Sequence, residues 1–119
     1  MMKKYSVLSI MFFLTIGLIS SVHAGTIAVP ADEPTVLDAV AAAISGDTIV
    51  IAAGTHGLAS QVVFDKDLTI TGAGKASTTL TIDFDTASSG DARGAFLVKS
   101  GATLHLSDLK IDGTGHKVW

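Results

Sequence analysis

The chain contains no cysteine and no asparagine, and its few cations are scattered. Without cysteine no disulfide can staple the fold, and no lipid can be attached to a thiol behind an export signal, so a lipoprotein is excluded. Without asparagine there is no internal Asn ladder to stack between repeats and no acceptor for an N-linked glycan. The lack of a basic cluster argues against nucleic acid and anionic membranes as partners. No Gly-x-Ser-x-Gly turn is present, so nothing marks one of the serines as a strained nucleophile. A continuous apolar core is the remaining source of stability.

The N-terminus has the organisation of a removable export signal. Lys3 and Lys4 form a charged start, residues 5–19 are an apolar run, and Val22-His-Ala24 ends it with small residues at the two positions a signal peptidase reads. The run falls short of the ~20 apolar residues that span a bilayer, and Gly17 and several serines interrupt it. Cleavage after Ala24 is expected, with a secreted, periplasmic or cell-surface location and no further membrane association. The remaining chain carries 6 Lys and Arg against 11 Asp and Glu, a net charge of −5. The expected organisation is a signal peptide over 1–24, a strand and capping helix over 25–46, and the first coils of a solenoid over 47–119.

Beyond the signal the sequence is built on short alternation. Thr48-Ile-Val-Ile51, Asp67-Leu-Thr-Ile-Thr-Gly72, Thr103-Leu-His-Leu-Ser107 and Leu109-Lys-Ile-Asp-Gly113 each place apolar residues two apart and close on a small or turn-forming residue. Very short strands cut by Gly or Asp point to stacking by repetition. Ile49 and Ile51 align with Leu68 and Ile70 at an offset of 19, and these with Leu109 and Ile111 at 41, although Leu104 and Leu106 fit almost as well. The expected core is Ile49, Ile51, Val63, Leu68, Ile70, Leu80, Ile82, Phe96, Val98, Leu104, Leu106, Leu109 and Ile111. Before the first repeat, Val36, Leu37, Val40, Ala41 and Ile44 form a helical stripe. Pro34 sits in the first turn, Asp32 or Glu33 is the expected cap, and Gly46 is the stop. A short amphipathic helix here serves as a lid over the apolar cross-section of the first coil.

Residues 25–56, from Gly25-Thr-Ile-Ala-Val29 through Ser45-Gly-Asp-Thr-Ile-Val-Ile51 to Gly54-Thr-His56, resemble the opening of secreted proteins of the pectin-lyase-like superfamily. The resemblance implies an all-β fold, a right-handed parallel β-helix of about three coils with an N-terminal amphipathic capping helix. His56 departs from the Tyr usual after Gly-Thr in that family. Nothing after Ile111 reads as a second cap, Trp119 being the only large apolar group in that stretch. The chain is therefore expected to be the N-terminal part of a longer solenoid, whose open coil continues into further repeats or self-associates.

The chemistry-bearing residues are few. Asp83 and Asp85 lie two apart and share one face of a strand, with Asp91 close enough in sequence to fold back toward them. Clustered carboxylates hold calcium through oxygen ligands, so these three are the metal candidate, against a solvated loop edge as the plain alternative. Some enzymes of the resembled family use such a cluster to stabilise a carbanion, in coils beyond this stretch. His105, between Leu104 and Leu106, is turned outward by alternation, and no two histidines share a metal-ligand spacing. Gly72-Ala-Gly-Lys-Ala-Ser77 lacks both the first Gly and the hydroxyl of a phosphate loop and reads as a turn. No catalytic or cofactor-binding set emerges, and whether the protein is an enzyme stays open. Two functions are expected: an exported protein that binds or processes polysaccharide, pectin-like or another acidic glycan, or a non-catalytic structural or adhesive module of the cell surface.

Overall fold

The computed structural model describes residues 24–117. The expected export signal, apart from Ala24, and Trp119 lie outside the described residues. Among the described residues, nine short strands and one α-helix are arranged in the order β1 (Thr26–Val29), α1 (Val36–Ala42), β2 (Thr48–Ile51), β3 (Gly54–Leu58), β4 (Val62–Phe64), β5 (Leu68–Thr71), β6 (Thr78–Ile82), β7 (Phe96–Val98), β8 (Leu104–Ser107) and β9 (Lys110–Asp112). A 3-10 turn, Gly90–Arg93, lies in the long connection before β7. The strands are rich in Thr, Ile, Val and Leu, which fit a pleated half-buried surface, and Gly or Asp corners keep them to three to five residues.

The strands form three parallel sheets, ordered β1-β2-β5-β8, β3-β6-β9 and β4-β7. From β2 to β6, each strand pairs with the third strand after it. The chain thus visits the three sheets in turn and lays each pass on the one before. In the four-stranded sheet the step is 22 residues from Thr26 to Thr48, 21 from Ile49 to Ile70, and 36 from Leu68 to Leu104. The last step is long because the 3-10 turn and its flanks leave the coil between β6 and β7.

This register corrects the offsets expected from sequence. Ile49 stacks on Ile70, not Leu68, and the row continues to Leu106, while Ile111 belongs to another sheet, on Leu80. Alternation has a period of two, so a slip of two residues leaves the same face inward, and pattern alone cannot choose between the registers. The turns choose. Val63 is a second correction: Val62 and Phe64 are fully buried and Val63 is 41% exposed. Three apolar residues in a row carry no phase, and the large ring of Phe64 takes the interior, 5.8 Å from the Phe96 ring. Val98, Leu106 and Ile111 stack on the buried Phe64, Ile70 and Leu80, but stay 42%, 39% and 41% exposed, because theirs is the last described strand of each sheet.

The helix is packed against β1, β2, β3 and β4. Its cap is Thr35, not Asp32 or Glu33. The Thr35 hydroxyl oxygen accepts from the Asp38 amide at 3.1 Å, whereas the Asp32 carboxylate turns back to the Ala28 amide at 2.8 Å. Val36, Ala39, Val40 and Ala43 form the buried stripe, and Ala41 and Ile44 face outward. The helix ends at Ala42, with Ala43 extended, which takes Ile44 out of helical phase. Lys66 closes that end by donating from Nζ to the Ala43 carbonyl at 2.6 Å.

Candidate functional site

Parallel stacking places chemically similar side chains in columns. On the outer face of the four-stranded sheet one column reads Thr26, Thr48, Thr69, His105, and the next reads Ala28, Val50, Thr71, Ser107. Their inward neighbours Ile49, Ile70 and Leu68 fill the core, so alternation sends the polar side chains out. Adjacent members of a column are ~4.8 Å apart, the spacing of paired strands. The Ser107 hydroxyl donates to Thr71 Oγ1 at 3.1 Å, and Thr71 Oγ1 lies 3.5 Å from an Asp108 carboxylate oxygen.

At the strand starts this face dips into an open groove of about 290 Å³ lined by Gly46, Asp67, Leu68, Thr69, Thr103 and His105. The groove is built by stacked corners. The Gly46 amide donates to the Asp67 carbonyl at 2.7 Å, and the Asp67 carboxylate accepts from the Thr103 amide at 2.8 Å. Gly46 has φ +97°, a left-handed corner that a side chain would strain. Behind it Asp47 is almost buried, and its carboxylate accepts from the Ile44 and Gly25 amides at 2.9 and 2.7 Å. These two amides, Ile44 first, hold Asp47 ionised below the usual carboxylate range. Asp47 thus fixes the wall, while Asp67, Thr69, Thr103 and His105 present hydroxyl, imidazole and carboxylate groups to solvent. Such a set can both donate and accept hydrogen bonds.

The acidic residues singled out in the sequence lie on other parts of the coil. Asp83, just past β6, points outward, as does Asp85, while Ile82 is buried and Phe84 half-buried. The Asp83 carboxylate lies over Gly57, where only the missing Cβ leaves room for it. Asp85 accepts from the Lys117 amide at 2.9 Å and contacts His116 Nδ1 at 3.2 Å. Asp91 sits in the 3-10 turn, where its backbone carbonyl accepts from the Gln61 side chain at 2.7 Å. Among the described residues, no three His, Cys, Asp or Glu side chains form a group that could hold a metal ion. His56 is tied to its own turn, Nε2 to the Ala52 carbonyl at 2.9 Å. Asp67 and Thr103 were missed from sequence, since the 36-residue step that brings them together crosses an irregular loop. The Asp47-Thr48 and Asp67-Leu-Thr69 strand openings were the available signal.

No family model matches the chain, and no curated protein matches it in sequence. Among solved structures it is similar to the PL6 family alginate lyase AlyGC, with a TM-score of 0.63 and 24% identity over 82% of this chain. That lyase has a parallel β-helix fold, in keeping with the parallel sheets here. The similarity spans 13% of the lyase's length and is a likeness of fold.

Proposed function

We propose that the protein is an exported right-handed parallel β-helix that binds polysaccharide along the outer face of its four-stranded sheet. One observation carries this reading: Thr26, Thr48, Thr69 and His105 form one in-register column beside a second that includes Thr71 and Ser107, and the Thr69 and His105 end of the first lines the groove together with Asp67 and Thr103. A glycan is itself a repeat of hydroxyl groups, and a column with one polar side chain per ~4.8 Å strand step offers it a repeated set of partners. The fold likeness to an alginate lyase supports a uronate-containing glycan as the first to test. Export is proposed from Lys3, Lys4, the apolar run and Ala24.

The test is retardation of the exported protein in native gels cast with alginate, polygalacturonate or a neutral glucan. Retardation by at least one glycan is expected, weakened roughly 5- to 10-fold by Thr69→Val with His105→Ala, the scale of one or two lost hydrogen bonds. Uniform mobility in all gels would favour the structural or adhesive module. Asp83, Asp85 and Asp91 are not brought together into a metal group among the described residues, so a calcium-holding role for them enters only as an outcome of the test. Retardation that requires calcium and is lost in Asp83→Ala would assign them that role.

A further inference from the structure

Charge is unevenly placed around the coil. The two outward columns of the four-stranded sheet hold hydroxyl side chains, the His105 imidazole, Ala28 and Val50, and neither contains a Lys or an Arg. Carboxylates frame them at both ends of the strands. Asp67, fixed by the Thr103 amide at 2.8 Å, stands where β5 begins, and Asp108, whose carboxylate is 3.5 Å from Thr71 Oγ1, stands where β8 ends. The nearby cations are committed elsewhere or lie outside the columns. Lys66 donates to the Ala43 carbonyl at 2.6 Å, at the end of the helix, and Lys110 pairs with Asp112 at 3.5 Å on the second sheet. Lys75 and Lys99 belong to the turns beyond the strands and do not line the groove. We infer that this face selects an uncharged glycan and turns uronates away, an inference that rests on the polysaccharide reading above.

The chemistry of the ligand follows from that layout. A neutral pyranose presents hydroxyls at its rim and C–H groups on its faces. Each outward Thr supplies both kinds of partner, a hydroxyl to exchange hydrogen bonds and a methyl to pack, and Val50, 37% exposed between Ala28 and Thr71, adds apolar surface. A uronate adds one carboxylate per ring. On this face that carboxylate would lose water without gaining a cation, and in the groove it would lie beside Asp67, so desolvation and like-charge repulsion both count against it. Two unit charges ~4 Å apart in water repel enough to weaken binding about fivefold. The deficit repeats with each ring that the columns contact. The likeness to an alginate lyase is one of fold and makes a uronate the first glycan to test, whereas the side chains of this face favour the neutral one.

The test is binding of the exported protein to immobilised alginate, polygalacturonate, a neutral β-glucan and a galactomannan, with a chelator present. A neutral glycan should be bound at least about fivefold more tightly than either uronate at low salt. The preference should shrink in about 1 M salt, where charges are screened beyond ~3 Å. It should shrink also in Val50→Lys, which sets a cation in the middle of the second column and should raise uronate binding. Equal or tighter binding of a uronate by the wild-type protein at low salt would overturn the inference and leave the polysaccharide reading standing. So would a preference that salt leaves intact, or a folded Val50→Lys that gains no uronate binding, since shape and not charge would then select. Binding to none of these glycans would overturn the polysaccharide reading and the inference with it. If Val50→Lys fails to fold, the salt series on the wild-type protein still decides.

Discussion

Thr78 is fully buried, and its hydroxyl works in two directions. The oxygen accepts from the Ala73 amide at 2.8 Å, and the proton points between the Ala52 and Ile51 carbonyls at 3.2 and 3.4 Å. One side chain thus ties the corner of the second coil to the corner of the first. Thr78→Val keeps the shape but strands the Ala73 amide, and should cost about 1–3 kcal/mol in a urea melt, while Thr78→Ser should lose less. The carboxylates at other corners act through charge. Asp47 is held down by the Ile44 and Gly25 amides, Asp85 by the Lys117 amide and His116, and Asp112 by the hydroxyl and amide of Thr114. A folded value below the unfolded one stabilises the native state above the unfolded value near 3.8, and this stabilisation disappears as pH falls through the folded value. The melting temperature should therefore be level near pH 5–7 and drop below about pH 4, with a smaller drop in Asp47→Asn. An unchanged melt at pH 3 would show that these hydrogen bonds do not select the ionised form.

The strand β4 shows how much one element depends on its phase. Val62-Val63-Phe64 is uniformly apolar, yet Val62 and Phe64 are sealed inside and Val63 lines the groove of about 400 Å³ between β4 and α1. Val62→Asp places an unpaired charge in the core and should prevent cooperative folding, as should Val40→Asp under the lid. Val63→Asp should change stability by only about 0.5 kcal/mol, because its side chain stays hydrated. Circular dichroism melts of the three variants test the register directly. Equal damage from Val62→Asp and Val63→Asp would mean that both faces of β4 are covered.

Across the molecule, constant register matters more than constant length. The 31-residue step that sets Thr79 on Lys110 and Leu80 on Ile111 also relates Asp85 to His116 and Thr86 to Lys117. There the Thr86 amide donates to the Lys117 carbonyl at 2.8 Å. The offset of the β6–β9 pair thus reappears at the last described residue, Lys117. Export would place this stack outside the cytoplasm, and exported material should begin at Gly25, as read by intact mass and N-terminal sequencing. Exported protein still carrying residues 1–24 would mean that the N-terminal run is an anchor.

Alternation of Ile, Leu, Val and Thr between Gly and Asp corners was enough to read short stacked strands, and the amphipathic run at Val36 and Val40 was enough to read a helix. These are local properties, set by side-chain shape and spacing within a few residues. The phase of β4, the pairing of Ile49 with Ile70, the Thr35 cap and the groove at Asp67, Thr103 and His105 were decided only in the folded chain. Each depends on how far an irregular turn carries the chain before the next strand returns. A period of two is satisfied equally by registers two residues apart, and only packing of whole side chains against the neighbouring coil separates them.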